Sequence, residues 1–452
     1  MLEVFRSPRR AVVWFVEASL LAFLVSCAAG VLLGWDGAFG YERFAHTLGI
    51  SLVAQGSLYY HGLYGREPLR TRALFLTTLR ALGLAALVLC AASWLVPGTE
   101  PVGRVFLVSL GAAALVLPAW RAAFDRLARS ESFRRPALVL GSGELARACT
   151  DLIQRDGEAG LRLVGRLVRD DAPVDGPDVI GRYGDLGSIV EEHGVEAVIA
   201  ACPDRRGGFP VEALLELKLR GVHIEEGIDL YERATGKIFV RALLPSQIIF
   251  SSGFHVRPRT LAVKRAFDVV CAALGLLLGL PLMIATAIAV KLDSPGPVLY
   301  SQVRTGVFGK RFRIHKFRSM RTDAEKDGAV WAAEDDPRVT RVGRVIRKTR
   351  LDELPQLWNV LAGEMSMVGP RPERPEFIAM LERQIPFFRQ RLCMKPGVTG
   401  HAQVRCRYGA SAEDALEKLQ HDLYYMKCFS LWFDLSILID TVKVVLLRIG
   451  AR

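Results

Sequence analysis

The stretch KRAFDVVCAALGLLLGLPLMIATAIAVKLD, residues 264–293, decides how this chain is organised around a membrane. Its apolar part runs from Val269 to Val290, which at about 1.5 Å per residue is long enough to cross roughly 30 Å of hydrocarbon. Cationic residues stand at both ends, with Lys264 before the run and Lys291 after it. Positive charge at both ends favours an element whose two ends stay on the same side of the membrane.

Pro281 lies near the middle of this apolar run. Proline lacks an N–H and clashes with the preceding helical turn, so it kinks or breaks a helix. We therefore predict a re-entrant hairpin over residues 264–291 that dips into one leaflet and returns at Pro281. The alternative is an ordinary membrane span with a proline kink, which would place the rest of the chain on the opposite side.

Residues 1–130 carry the main membrane signal. We predict a transmembrane bundle of four spans, of which the second is the least apolar: Val12–Gly34, Phe44–Gly65, Ala73–Val96 and Val105–Ala119. Arginines are frequent before the first span, between the second and third, and after the fourth, and rare in the other two connections. By the positive-inside rule, the N-terminus and everything after about residue 130 lie in the cytoplasm.

The composition fits a membrane part joined to a charged globular part. Of the 452 residues, 51% are hydrophobic and 23% are charged, and the net charge is +12. This excludes an intrinsically disordered chain and argues against a purely soluble enzyme. The eight cysteines form no C-x-x-C pair, so we predict neither a zinc site nor a disulfide framework, and globular parts in a reducing cytosol.

Residues 131–255 alternate between predicted strands and helices. Ala137–Leu140, Leu161–Val168 and Val195–Ala201 are apolar runs typical of buried parallel strands, and amphipathic stretches separate them. We predict a Rossmann-like α/β module with a doubly wound parallel sheet.

A glycine pattern follows the first of these strands, with Gly141 and Gly143 ahead of a helix. G-x-G-x-x-A at such a turn can hold a dinucleotide pyrophosphate on the helix N-terminus, and Asp170 after the second strand would then meet a ribose hydroxyl. The same glycines also serve tight strand–helix packing alone. No tyrosine has a lysine four positions on, which argues against dehydrogenase or epimerase chemistry of the short-chain type. A regulatory or structural module is the favoured interpretation.

Positive charge is concentrated between residues 301 and 350, with 14 Lys or Arg against six Asp or Glu. Here Val342, Val345 and Ile346 mark one face of a predicted helix whose other face is basic. Beside a membrane segment, such a helix is typical of an interfacial element held by anionic lipid. No nucleic-acid recognition motif accompanies it, so we expect no nucleic-acid partner.

Two adjacent carboxylates, Asp352 and Glu353, precede a short helical pattern that Pro355 suits as first turn and Gly363 ends. We expect Asp352 at the N-cap, with both carboxylates kept ionised by the helix dipole and nearby arginines. An ionised carboxylate near membrane depth can attack phosphorus or hold Mg²⁺ against a diphosphate. Taken alone, an Asp-Glu pair at a helix start is more often only a cap.

Cationic residues from three other motifs favour the chemical interpretation. Arginine matches phosphate oxygens bidentately and lysine supplies a point charge. We predict four residues as phosphate- or substrate-binding groups: Lys316, Arg318, Arg371 and Lys395.

Through these motifs the chain resembles the polyprenyl-phosphate hexose-1-phosphate transferases of bacterial exopolysaccharide and O-antigen synthesis. In chain order the matching stretches are Lys264–Asp268, Asp293–Pro297, His315–Met320, Asp336–Gly343, Leu351–Gln356, Met365–Glu373, Lys395–Gly400 and Asp422–Tyr425. The front half is also similar to the large members, which place four spans and a Rossmann-like module before the catalytic domain. The resemblance implies a mostly α-helical, monotopic catalytic domain over residues 256–452, in the bacterial inner membrane.

The resemblance also implies the reaction: a sugar 1-phosphate passes from a UDP-sugar donor to polyprenyl phosphate, and UMP is released. Asp352 would be the nucleophile that forms an aspartyl-phosphosugar intermediate, and Glu353 would help to bind Mg²⁺. Lys316, Arg318 and Arg371 would neutralise donor or lipid phosphates. The hairpin would seat the domain on the cytoplasmic leaflet of the lipid bilayer, and the large monotopic surface is compatible with a homodimer.

The chain departs from the family pattern at Leu280, where serine often precedes the hairpin proline, and at His401, where tryptophan is common. The second difference bears on sugar or nucleotide specificity. Two rival functions stay open. One is a metal-dependent glycosyltransferase using Asp335 and Asp336, although a polar stretch of this kind is typical of a solvated surface loop. The other is a non-catalytic scaffold of polysaccharide export.

Overall fold

The computed structural model of the protein describes most of the chain, in twelve segments: residues 8–34, 41–64, 71–95, 100–129, 134–155, 160–174, 176–202, 208–251, 253–255, 257–324, 336–406 and 411–446.

The N-terminal part is a bundle of four helices. Helices α1 to α4 have the bounds Pro8–Leu33, Tyr41–Tyr60, Thr71–Leu95 and Glu100–Arg129. Segments of α1, α3 and α4 are long and apolar enough to cross a membrane: Ala11–Leu33, Leu74–Ala92 and Arg104–Phe124. Four N-terminal helices are present, as predicted. The second, α2, is not among the described segments that are apolar enough to span a membrane. It ends at Tyr60 and gives way to a turn.

A buried ion pair joins the first and last helices of the bundle. Glu17 of α1 is fully buried, and its Oε2 lies 2.6 Å from Nη2 of Arg121 in α4. Tyr64 Oη donates a hydrogen bond to the same oxygen at 2.6 Å. Charges at membrane depth are tolerated where they are paired in this way, so we assign Glu17 to bundle packing.

Residues 135–249 form an α/β unit around a five-stranded sheet. Strands β1 to β5 have the bounds Arg135–Leu140, Leu161–Val168, Val179–Arg182, Ala197–Ala200 and His223–Glu226. They are all parallel, in the spatial order β3-β2-β1-β4-β5. Helices α5 to α9 have the bounds Glu144–Arg155, Leu186–Glu192, Val211–Leu219, Gly227–Thr235 and Pro245–Ile249. The central strands β1 and β4 are buried, as expected for a parallel sheet covered on both faces, and the predicted parallel α/β region is confirmed.

The C-terminal part is mostly helical. Its helices α10 to α16 have the bounds Pro258–Asp293, Arg341–Lys348, Gln356–Ala362, Pro375–Gln384, His401–Arg405, Ala412–Lys427 and Leu431–Leu446. Four short strands, β6 to β9, have the bounds Leu299–Thr305, Arg311–Phe317, Ser366–Val368 and Gly397–Thr399. The pair β6-β7 is antiparallel and the pair β8-β9 is parallel.

The predicted re-entrant hairpin is not confirmed by the secondary structure. α10 is one helix of 36 residues with Pro281 inside it. Ala272, Thr286 and Val290 are buried on either side of Pro281, which is itself exposed.

Both ends of α10 are fastened to the same globular part. Near its start, Lys264 Nζ lies 2.6 Å from Asp434 Oδ2 in α16. At its end, Asp293 Oδ2 accepts a hydrogen bond of 3.0 Å from the backbone N–H of Val342 in α11. The opposite face of α10 is apolar and exposed, with Leu278 78% accessible.

The α/β unit is packed on the C-terminal part through α15. The backbone N–H of Ile238 donates to the carbonyl of Gln420 in α15 at 3.1 Å. Lys427 Nζ at the end of α15 lies 2.6 Å from Glu232 Oε2. Buried apolar residues from both parts form one continuous core.

Candidate active site

The two adjacent carboxylates lie in a tight turn between α11 and α12. Leu351–Glu353 is a single 3₁₀ turn, and Arg350 before it adopts a left-handed conformation with φ 59°. That conformation costs a non-glycine residue free energy, and residues strained in this way cluster at functional sites. Asp352 and Glu353 are buried, with 8% and 9% of their surfaces exposed.

The predicted N-cap role of Asp352 is wrong. α12 begins at Gln356, with Pro355 at the N-cap position, so the 3₁₀ turn of Asp352 precedes the helix and the carboxylate is left for other contacts. Gly363 ends α12 in the left-handed conformation, with φ 85°, as predicted.

Three cations surround one oxygen of Glu353. Its Oε1 lies 3.1 Å from Lys316 Nζ, 3.1 Å from Arg371 Nη2 and 3.9 Å from Arg350 Nη1. Burial alone would raise the pKa of Glu353, but the charges of Lys316, Arg371 and Arg350 outweigh burial and hold its pKa below the ordinary value. Glu353 is therefore ionised at every physiological pH.

Asp352 is in the opposite electrostatic situation. Burial, together with the neighbouring charge of Glu353, raises the pKa of Asp352 to about 6, and the cations only partly oppose this. Its Oδ1 is buried and has no hydrogen-bond partner within the described segments. Asp352 is thus largely ionised at neutral pH, more basic than an ordinary carboxylate, and presents an oxygen that the protein itself leaves uncommitted.

Asn359 of α12 fixes the strand that carries Lys316. Its Oδ1 accepts a hydrogen bond of 3.2 Å from the backbone N–H of His315, and its Nδ2 donates to the carbonyl of Arg313 at 2.6 Å. Strand β7 and the turn that carries Asp352 and Glu353 (the dyad) are thereby joined through one helix. Neither Asn359 nor Arg350 was predicted from the sequence, because a lone polar residue in a helix and an arginine beside a turn carry no distinctive pattern.

Arg318 does not join the cations around Glu353. It is buried, and its guanidinium donates to the carbonyls of Ser294 at 2.6 Å and Pro295 at 2.9 Å, just after the end of α10. Those carbonyls need donors once the helix has ended. We therefore assign Arg318 to holding the end of α10 rather than to substrate binding.

Replacing Arg318 by lysine separates these two roles. Lysine cannot donate to several carbonyls in a fixed fork, so we expect Arg318→Lys to lower the melting temperature by several degrees, while the KM for donor in the remaining folded enzyme stays within about twofold of wild type. Arg311→Lys, at an exposed position of β7, is the matched control. A rise in donor KM without loss of stability would return Arg318 to the substrate-binding residues.

Lys395 lies near the opposite end of α12 from the dyad. A Cβ built on Gly363 would stand 3.9 Å from Lys395 Nζ and 3.5 Å from Arg265 Nη2, and Arg265 itself donates to the carbonyl of Leu361 at 2.8 Å. Burial and the charge of Arg265 lower the pKa of Lys395. The structure thus brings Lys316 and Arg371 to the dyad and leaves Arg318 and Lys395 elsewhere.

Packing explains one of the two glycines in the turn of the α/β unit. A Cβ on Gly141, whose φ is +140°, would lie 2.7 Å from the carbonyl oxygen of Ala201, just after β4, whereas Gly143 has open space around it. Asp170 Oδ1 accepts a hydrogen bond of 3.2 Å from the backbone N–H of Gly184. The packing interpretation therefore accounts for Gly141 and leaves Gly143 as a prediction.

Two other sets of residues carry side chains of the kind that bind metals. Asp336 is buried and its Oδ1 lies 2.8 Å from Arg338 Nε, so the expectation of a solvated loop is wrong for Asp336; Asp335 lies outside the described residues. Ligand atoms of Cys406, Glu417 and His421 come within 4.8 Å of one another. Glu417 is already paired with the ammonium of Lys237, and we assign no metal to that group.

The chain resembles known proteins over both halves. Residues 259–448 match the family model described as bacterial sugar transferase. The undecaprenyl-phosphate galactose phosphotransferase of Salmonella typhimurium is 32% identical over 372 residues, which cover 75% of this chain and 74% of that protein. The exopolysaccharide production protein PSS of Rhizobium leguminosarum is 43% identical over 194 residues, 42% of this chain and 97% of that protein.

A third relative is the UDP-N-acetylgalactosamine-undecaprenyl-phosphate N-acetylgalactosaminephosphotransferase of Aeromonas hydrophila. It is 44% identical over 230 residues, which cover 51% of this chain and about half (53%) of that protein. The matches confirm the resemblance inferred from the motifs. With its apolar helices and a match extending well beyond the catalytic region, the chain is a membrane protein of the bacterial sugar transferase family.

Proposed function

We propose that this enzyme transfers a sugar 1-phosphate from a UDP-sugar to undecaprenyl phosphate and releases UMP, with Asp352 as nucleophile. The observation that carries the proposal is the buried, uncommitted Oδ1 of Asp352 beside a Glu353 held by three cations. A diphosphate brings negative charge to this place, and Lys316 and Arg371 are suited to receive it. The names of the relatives support the same substrates.

The proposed reaction has two displacements at one phosphorus. Asp352 Oδ1 attacks the phosphorus next to the sugar, the bond from that phosphorus to the UMP oxygen breaks, and UMP leaves with the electron pair. An oxygen of the lipid phosphate then attacks the same phosphorus, and the Asp352 carboxylate departs. A soluble donor and a lipid acceptor therefore need not be bound at the same time.

We further propose that Glu353 helps to hold Mg²⁺ together with the donor. Carboxylate oxygens suit this ion, which proteins usually bind through one or two carboxylates and substrate phosphates. The fit rests on the buried, ionised carboxylate of Glu353. When bound, the ion would neutralise charge on the diphosphate.

The contacts of α10 support an arrangement in which the helix lies in one leaflet and both of its ends stay on the same side of the bilayer. At about 1.5 Å per residue its 36 residues extend roughly 54 Å, more than the hydrocarbon thickness, yet both ends contact one globular part. A crossing helix would have to carry one of those contacts across the bilayer. Trp358 is 64% exposed next to the residues of α12 that pack on α10, as expected for an interfacial tryptophan.

Labelling from one side of the membrane tests this arrangement. We expect cysteines introduced as Arg259→Cys, in the first turn of α10, and Pro297→Cys, just after its end, to react with an impermeant maleimide in inside-out vesicles and not in intact cells. Both positions are exposed. The unsubstituted protein gives the background of the native cysteines. Labelling of the two positions from opposite sides would mean that α10 crosses the bilayer.

The reaction itself is tested with purified protein, undecaprenyl phosphate and a panel of UDP-sugars. The proposal requires release of UMP with at least one donor, dependent on Mg²⁺. Release of UDP would indicate the rival glycosyltransferase, and no release from any donor would favour the scaffold. Strand order supports the Rossmann-like description of the middle module, for which we propose a structural role. A homodimer is a proposal that the mass of the protein in nanodiscs tests.

A further inference from the structure

The loop that carries Arg371 is held at four successive carbonyls, from Pro370 to Glu373. Pro370 O accepts from the backbone N–H of Gly397 at 2.9 Å, and Glu373 O accepts from the backbone N–H of Thr305 at 2.9 Å. Between them, the carbonyl of Arg371 accepts from Arg391 Nη2 at 3.2 Å. The carbonyl of Pro372 accepts from Arg304 Nη1 at 3.1 Å.

These donors come from separate parts of the chain. Thr305 and Arg304 end strand β6, Gly397 begins strand β9, and Arg391 lies in the 3₁₀ segment Phe388–Cys393. The two prolines of the loop have fixed φ angles, so four outside donors leave its backbone little freedom. The guanidinium of Arg371 is thereby aimed at Glu353.

Arg391 is a buried cation that is itself held by a buried anion. Arg391 is 5% exposed and Asp422 of α15 is 2% exposed, and Arg391 Nη2 lies 2.8 Å from Asp422 Oδ2. Two buried charges are expensive to desolvate, and hydrophobic residues of similar volume often stabilise a fold as well. Stability alone therefore does not explain the pair, whereas its contact with the Arg371 carbonyl gives it a task.

Arg304 holds the other side of the loop and lies close to other cations. It has Glu373 at 3.8 Å, and burial together with the charges of Arg371 and Arg374 lowers its pKa to about 10. Glu373 offsets this cost only in part. An incoming diphosphate would bring further negative charge next to Arg371.

We propose that Arg391, fixed by Asp422, and Arg304 are positioning residues that hold the Arg371 loop so that Arg371 meets the phosphates of the donor. The proposal rests on the proposed function, in which Arg371 contacts the UDP-sugar. The proposal assigns the effect of the loop to the donor, and the KM for the lipid acceptor tests that assignment.

A double-mutant cycle tests the proposal. Arg391→Lys shortens the side chain and removes the fork that reaches both Asp422 and the carbonyl of Arg371. We expect a loss of roughly tenfold or more in kcat/KM, since small misplacements of a binding group are costly. The loss should appear as a higher KM for the UDP-sugar, with the KM for undecaprenyl phosphate unchanged.

In an Arg371→Ala background the same Arg391→Lys change should cost less than about twofold, because the group that it positions has gone. Arg304→Lys should behave in the same way and keeps the proposal testable should Arg391→Lys fail to fold. Glu232→Gln is the control: it breaks the buried contact with Lys427 in the same helix as Asp422 and should leave the donor KM unchanged.

Equal losses with and without Arg371, or a parallel rise in both KM values, would overturn the positioning role while leaving the reaction intact. Absence of UMP release from the wild-type protein with every UDP-sugar would instead overturn the proposed function, and the positioning role with it.

Discussion

Replacing Asp352 by asparagine abolishes turnover while the protein becomes more stable. Asparagine keeps the size of the side chain but cannot attack phosphorus, so we expect UMP release to fall by roughly 10⁴-fold or more, as in other enzymes that lose their nucleophile. UMP release in the presence of donor and undecaprenyl phosphate measures the loss. Turnover within about tenfold of wild type would exclude Asp352 as the nucleophile.

The stability gain follows from the cost of the buried charge. Burial raises the pKa of Asp352, so its ionisation costs more in the folded than in the unfolded protein, and Oδ1 is unpartnered among the described residues. Removing such a charge recovers about 1–3 kcal/mol, a rise of a few degrees in melting temperature. Asn359→Ala, which removes a bonded buried side chain, should lower the melting temperature and serves as the contrasting control.

Replacing Glu353 by glutamine has the second largest effect and a signature in pH. Glutamine leaves Lys316, Arg371 and Arg350 without their shared anion, so we expect kcat/KM to fall by roughly 10²- to 10³-fold. In wild type, kcat/KM should decline as pH falls through about 6, because Asp352 takes up a proton there.

The acid limb should move to lower pH in Glu353→Gln. The negative charge of Glu353 helps to raise the pKa of Asp352, and without it the carboxylate stays ionised further into acid. A pH profile of kcat/KM from pH 5 to 8 measures the acid limb in the wild-type protein and in the variant. An unchanged or higher limb in the variant would show that the limb belongs to another group.

A site residue could be predicted where residues that are close in the sequence also lie close together in the structure. The structure brings Lys316 and Arg371 to the dyad. The sequence pointed to both because their motifs carry positive charge. Arg318 instead contacts the end of α10, because β7 ends at Phe317 and the chain turns away there. Lys395 lies near Gly363 at the other end of α12, so its role as a substrate-binding residue stays a prediction.

The fold was predictable where local pattern decides it. Apolar length gave the bundle helices, and alternating apolar runs gave the parallel sheet. Local pattern did not settle the region around Pro281, where α10 continues as one helix through the proline. Residues such as Asn359, Arg304 and Arg391 act through contacts with segments distant in sequence, and no local pattern reveals those contacts.

Trapping the covalent intermediate tests the central claim most directly. Protein incubated with a UDP-sugar and Mg²⁺, without undecaprenyl phosphate, should release at most one UMP per chain and gain the mass of one sugar phosphate on the peptide that contains Asp352. Added undecaprenyl phosphate should then discharge the adduct. UMP release that begins only when the lipid is present, with no adduct on the protein, would contradict the two-step account.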